Sequence, residues 1–181
     1  MSPEQNSAPA KLRAAIHVVC RTMASQPDKL GAVKLHKALW FADVHAYRLT
    51  GQTITGGTFI RHQYGPILKE LDDAVADLER AGRVTVRMVN CRGVEKREFI
   101  ARGAPDVNFL NERERKWLEQ FAVAVCEDHT AASISERTHN RLWESAAMFE
   151  EIPIAAAAVQ FVKPVPAVAA WAVEELERMS R

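Results

Sequence analysis

Apolar residues along the chain recur first at helical spacing. In residues 11–26, Leu12, Ile16, Val19 and Met23 share one face while Arg13 and Arg21 lie on others, which predicts an amphipathic helix. Pro27 and Asp28 break it. Residues 30–49 carry two apolar stripes, Leu35, Leu39, Ala42, Ala46 and Val33, Trp40, Val44, Tyr47, so the helix predicted there is apolar on two sides and central to the fold. Thr50-Gly51 supplies a glycine C-cap, and a Gly/Thr-rich loop through Thr58 leads into a short strand near residues 59–62. At Gly65-Pro66 a third helix is expected to open, because proline lacks the N–H that has no helical partner at a first position anyway. Ile67, Leu71, Val75 and Leu78 form its stripe, and Gly82 closes it.

From Arg83 the period changes to two. Val84, Val86 and Met88 alternate with Arg83, Thr85 and Arg87, and a turn over residues 90–93 sends the chain back through Phe99, which predicts a β-hairpin over residues 83–102. Asn111 with Glu114 forms a capping-box start for a helix carrying Trp117, Leu118, Phe121 and Val125. A shorter helix is expected to start at Ser133 with Glu136, and the region through His139 and Trp143 reads as helical but punctuated. Pro153 interrupts the chain, and the alanine run at 155–158 fits buried helix or strand equally. Pro164 and Pro166 lead into a last predicted helix with Val168, Trp171, Leu176 and Met179. The order is helix-rich with one hairpin: an α+β, predominantly helical single domain over residues 11–181, behind a disordered arm at 1–10.

Composition keeps the chain within one domain, since 181 residues with 48% hydrophobic and 26% charged can bury a real core. The net charge of +1 gives no global field toward nucleic acid or lipid, so any such argument is regional. One region qualifies. The hairpin holds Arg83, Arg87, Arg92, Lys96, Arg97 and Arg102 against Glu95 and Glu98, and a basic hairpin after a helix suggests a winged-helix DNA-binding transcriptional regulator. The preceding helix opposes this: Glu70, Asp72, Asp73, Asp77 and Glu79 outnumber Lys69 and Arg80, and an acidic face is repelled by the groove a recognition helix must enter. Nucleic acid is therefore the second reading, and charge that protects a solvated hairpin edge explains the bases as well. Three cysteines without a CxxC pair fit reduced thiols in the cytoplasm. The N-terminus lacks the pattern of an export signal, and the most apolar stretch, 154–162, is far short of the roughly 20 residues a membrane span needs.

Catalytic signatures are missing from the sequence. Six histidines supply candidates, but no HExxH occurs, and His36 and His45 are nine apart, too distant for a shared metal. There is no G-x-S-x-G elbow, no phosphate-binding G-x4-G-K-[ST] and no G-x-G-x-x-G, so the expectation is a non-enzyme without cofactor or metal. Aromatics cluster around the second helix and its loop. Trp40 lies on an apolar stripe and reads as core, while Phe41 falls off both stripes and is a candidate for surface presentation.

The segment Lys34-Leu35-His36-Lys37-Ala38-Leu39-Trp40-Phe41-Ala42-Asp43 resembles the opening of the Panacea domain, the SocA-like antitoxin family. Further matches follow in order: Thr50-Gly51, Ile54-Thr55-Gly56, Tyr64-Gly65-Pro66, then Ser135 to His139 with Trp143, and Ile152-Pro153, together spanning residues 30–159. Trp40 stands where the family usually has tyrosine, and Ile154 where an aromatic is common. The resemblance implies an antitoxin that neutralises a cognate protein toxin by direct binding. In the SocA-like branch, which Phe41-Ala42-Asp43 and Ile54-Thr55-Gly56 favour, it implies a proteolytic adaptor that delivers a toxin of the replication sliding clamp to the ClpXP protease. Such a protein needs two surfaces and no catalytic residues. The matching residues themselves, Lys34, Leu35, Leu39, Trp40, Phe41, Ala42, Tyr64, Gly65, Pro66, His139 and Trp143, read as mainly structural; His139 and Trp143, four apart, can stack. Candidate partner-binding residues are Phe41, Arg87, Arg92, Lys96 and Arg97, with the N-terminal arm and the acidic helix beside them. Several apolar helices also make a homodimer compatible with the sequence.

Overall fold

The computed structural model describes residues 3–91, 93–159 and 178. Arg92 and the helix expected around Val168, Trp171, Leu176 and Met179 lie outside the described residues. The fold is helical α+β with two small antiparallel sheets.

Helix α1 spans Pro3–Thr22, so it begins inside the segment set aside above as an arm. After a 3-10 turn at Pro27–Lys29, which follows from the proline and aspartate there, α2 runs Ala32–Thr50. Its two apolar stripes have the consequence expected of them: α2 packs against α1, a later α4 (Glu112–Glu127), α5 (Ala131–Glu136) and α7 (Ile154–Val159), and Leu35, Ala38, Leu39, Trp40, Ala42 and Ala46 are buried. Gly51 caps it in the left-handed region at φ 73°, donating its N–H to the Tyr47 carbonyl at 2.8 Å.

Gly65-Pro66 does not open a helix. Residues Ile67–Leu68 form strand β2, antiparallel to β1 at Phe59–Ile60, and helix α3 starts only at Leu71, ending at Arg80. The N–H groups that would start the helix have better partners: Leu68 donates to His36 Nδ1 at 3.0 Å and Lys69 to the Thr58 carbonyl at 2.9 Å. Leu71, Val75 and Leu78 still form the buried stripe of α3. The hairpin is strands β3 (Val84–Cys91) and β4 (Val94–Ala101), with Val84 opposite Ala101 and Val86 opposite Phe99. Its base is buried through Val84, Phe99 and Ala101, while its far half projects from the core.

Helix α4 has the expected capping box at Asn111 and Glu114. The short α5 starts earlier than expected, since Thr130 and Ser133, not Ser133 and Glu136, exchange the capping hydrogen bonds. α6 is Arg141–Ser145, capped by Asn140. The alanine run is helix α7, whose buried Ala157 and Ala158 have side chains small enough for close approach to α2. No helix among the described residues is long and apolar enough to cross a membrane.

Candidate partner surface

Four sets of hydrogen bonds and one close packing contact tie distant segments onto the β1–β2 region. The first starts on α2, where Lys37 is only 1% exposed and its ammonium donates to the Pro66 carbonyl at 2.7 Å. Burial pulls its pKa down to about 7. The second is at Gly65, in the left-handed region at φ 88°, where an added Cβ would sit 2.1 Å from Thr138 Oγ1 and 2.7 Å from Lys37 Nζ. Only glycine fits there. Thr138, in the turn after α5, donates in its turn to the Ser135 carbonyl at 2.8 Å.

Trp143 of α6 makes the third tie, its Nε1–H donating to the His62 carbonyl at 3.0 Å. The same carbonyl accepts the Gly65 N–H at 2.9 Å. His139 stacks on the Trp143 ring at 3.9 Å between centroids, and the Arg61 guanidinium lies 4.4 Å from that ring's centroid while donating to the Ala146 carbonyl. Burial lowers the pKa of His139, which favours the neutral form of the stacked imidazole. The fourth tie is the Asp43 carboxylate, fully buried, which accepts the N–H groups of Ile54 at 2.7 Å and Thr55 at 2.9 Å and the Thr55 hydroxyl. Burial pushes its pKa up to about 6 against the pull of those three donors. The fifth is main chain: Ile152 donates to the Phe59 carbonyl at 2.8 Å, Arg61 to Glu150 at 2.8 Å and Phe149 to Arg61 at 3.0 Å, adding an extended segment beside β1.

What these ties present outward is aromatic. Tyr64 is 53% exposed and Phe149 is 64% exposed, with Met148 beside it, and the His62 ring lies 6.2 Å from Tyr64 and 6.0 Å from Phe149. Phe149 is held at φ 66°, in the left-handed region that a bulky residue seldom occupies. An apolar ring is thus kept in water by a backbone that its own sterics oppose, and residues so placed concentrate at functional sites. A cavity of about 180 Å³ opens beside the patch, lined by His36, Lys37, His62, Tyr64 and Ile67. His36 accepts Leu68 N–H through Nδ1 and is held neutral, its pKa lowered to about 3 chiefly by burial, so its Nδ1 lone pair serves the strand.

The other residues singled out from sequence fall in two groups. Leu35, Leu39, Trp40 and Ala42 are buried core, Trp40 meeting Phe59 edge-on at 5.0 Å. Lys34 donates to the Cys126 carbonyl at 3.0 Å, at the negative end of α4. Phe41 is partly buried, stacked on Phe121 at 6.4 Å, and packs against the core. On the hairpin, Arg87 pairs with Glu98 at 2.7 Å, Arg97 pairs with Asp72 of the acidic α3 at 2.5 Å, and Lys96 donates to the Asp28 carbonyl. The structure brings Tyr64, Gly65, Pro66, His139 and Trp143 together.

Lys37, Asp43 and Thr138 carry ties that sequence reasoning passed over. The signal was present for two of them. Lys37 lies four residues after Val33 and three before Trp40, inside the second apolar stripe, and Asp43 stands in the same relation to Leu39 and Ala46 in the first. A charge within a buried stripe must find a partner. Thr138 offered no such pattern.

Groups suited to nucleophilic chemistry are muted. Burial pushes the Cys20 thiol up to about 12 and Cys126 up to about 11, and Cys91 alone of the three is exposed. No cluster among the described residues groups three or more metal-ligating side chains. What the patch offers is shape and exposed apolar area.

In comparison with known families, the model described as "Antitoxin SocA-like, Panacea domain" matches residues 35–144, more than half of the chain. No curated protein and no solved structure matches.

Proposed function

Because the chain belongs to the Panacea-domain family of SocA-like antitoxins, we propose that it is the antitoxin of a toxin–antitoxin pair and neutralises a cognate protein toxin by direct contact. The observation that carries this reading is the exposed patch of Tyr64, Met148 and Phe149, with Phe149 held on strained backbone, beside the family-matching residues. Aromatic side chains fixed in place before binding are what a protein interface uses as anchors, since little further ordering is needed when the partner arrives. The hairpin bases Arg87, Arg92, Lys96 and Arg97 form a separate charged contact in the same complex. Phe41, stacked on Phe121, contributes least of the candidates.

The role asked of the chain is non-enzymatic: it holds the toxin and, as a proteolytic adaptor, hands it to ClpXP in the cytoplasm. Expression of the cognate toxin alone is expected to arrest growth, and co-expression of this chain to restore it. A nuclease-treated pull-down from a strain lacking ClpXP is expected to yield a stoichiometric small protein that accumulates only in that strain. Growth arrest that this chain does not relieve contradicts the antitoxin reading, whereas a partner whose level is indifferent to ClpXP removes the adaptor step alone.

A further inference from the structure

Lys37 holds Pro66 in place, but that bond does not neutralise it. The residue is buried, its ammonium donates to a carbonyl, and no carboxylate stands close enough to act on its pKa, which burial alone lowers. A buried cation without an anion is unfavourable, and such groups are ordinarily paired. The neighbours do not supply the pair. His36 stands beside it on α2, His62 and Tyr64 on the β1–β2 turn, and Thr138 and His139 after α5, with no carboxylate among them. Asp72, which acts on the adjacent His36, is engaged by Arg97 at 2.5 Å. Lys37 also lines the cavity of about 180 Å³ beside Tyr64, and no acid is among the described residues that line it. Its remaining walls are Ala32, Val33, Ile67 and the Tyr64 ring, with His36. Because His36 Nδ1 accepts the Leu68 N–H, the neutral ring carries its proton on Nε2, as a donor. Apolar walls are thus joined to one uncompensated cation and one N–H.

We propose that this cavity receives the C-terminal residue of the partner protein, its apolar side chain against Val33, Ile67 and Tyr64 and its free carboxylate toward Lys37 and His36. The volume lies below the roughly 300 Å³ at which pockets for drug-sized molecules begin, and it suits a single residue. An internal glutamate matches the charge but brings only its methylenes to the apolar walls. A terminal residue of leucine size brings a whole side chain and a carboxylate on the same Cα, which satisfies both features at once. The site is continuous with the aromatic patch, since Tyr64 and His62 belong to both. The inference rests on the reading of the chain as a protein-binding antitoxin and names the part of the partner that the patch holds.

N-acetyl-leucine reproduces such a terminus, and N-acetyl-leucinamide and acetate each remove one half of it. Titrated into the intact chain and followed through the N–H signals of Val33 and Leu68, N-acetyl-leucine is expected to bind about tenfold more tightly than either control. Its Kd should rise about tenfold between about pH 6 and about pH 8, because Lys37 loses its proton near 7, while that of the amide should not move. Lys37→Met should reduce N-acetyl-leucine to the affinity of the amide. Val33→Glu, at a half-buried position apart from the bond to Pro66, should do the same by placing a carboxylate in the wall. Equal binding of the amide, or binding of none of the three, overturns the proposal. Two serines added to the C-terminus of the small protein recovered in the pull-down should cut its retention about tenfold. Undiminished retention while N-acetyl-leucine still binds assigns the cavity to a free acid and overturns the partner's end as its occupant. Growth rescue judges the antitoxin reading separately: rescue with failed titrations discards the cavity alone, and N-acetyl-leucine binding without rescue discards the antitoxin reading and the partner's end with it.

Discussion

The surroundings of α2 and the hairpin are both rich in charged residues, and they use them in opposite ways. Around α2 the charges are inside: Lys37 and Asp43 are buried, each satisfied by hydrogen bonds from or to a segment far along the chain. On the hairpin they lie mostly outside, in ion pairs such as Arg97–Asp72 that keep side chains apart from the core. A buried tie specifies where a loop must sit, because breaking it leaves an unpaired group in low dielectric; a surface pair specifies little. The family-matching residues Leu35, Leu39, Trp40 and Ala42 are buried on the same helix as these ties. They fix the scaffold, and the exposed side chains carried by it can vary with the partner without disturbing the fold.

The contrast predicts a descending series of effects. Gly65→Ala is expected to be the most severe, since its Cβ would collide with Thr138 Oγ1 and the backbone would stay in the left-handed region; unfolding in urea should show a loss of about 3 kcal/mol or more. Asp43→Ala leaves three donors without an acceptor and should cost about 3 kcal/mol by the same measurement, while Asp43→Asn, whose single amide oxygen can still accept both main-chain N–H groups, should cost about 1 kcal/mol.

Lys37 gives a pH signature. Its folded pKa of about 7 lies below the ordinary 10.5, so between those values the unfolded chain holds more protons. Stability should therefore rise as pH increases from about 7 toward 10.5, by about 1 kcal/mol per pH unit, and this contribution should disappear in Lys37→Met. Phe149→Gly reverses the usual sign of a mutation: relief of the left-handed strain should raise stability by about 1 kcal/mol, seen as a higher urea midpoint with an unchanged m-value. At the small end, Arg97→Glu should change stability by less than about 1 kcal/mol, because its pairing with Asp72 is largely solvated. A loss of several kcal/mol there would abolish the distinction between the two regions.

Much of the scaffold was legible from periodicity. The double stripe of residues 30–49, the period-two hairpin and the Asn111–Glu114 box each follow from local rules that act within a few residues. The third helix was misplaced because Pro66 is equally suited to a turn, and the deciding partner, His36, lies 32 residues away. Ser133 suits an N-cap by residue type but occupies the third position of a box opened by Thr130. The site was less legible for a related reason. Tyr64, Gly65, His139 and Trp143 were each visible as matching residues, but their convergence with Phe149 is tertiary, and no local pattern marks Phe149 as lying at positive φ.

The most direct test of the central claim, that buried ties hold the fold while the exposed aromatic patch does the binding, is retention of the partner by Phe149→Gly. Tagged wild-type chain and variant are to be purified side by side from a native-host strain lacking ClpXP, and the co-purifying small protein quantified. The account predicts a folded variant, more stable than wild type, that loses most of the partner. A folded variant that retains it in full contradicts the assignment of the patch, and a wild-type chain that retains DNA and no protein contradicts the antitoxin reading itself.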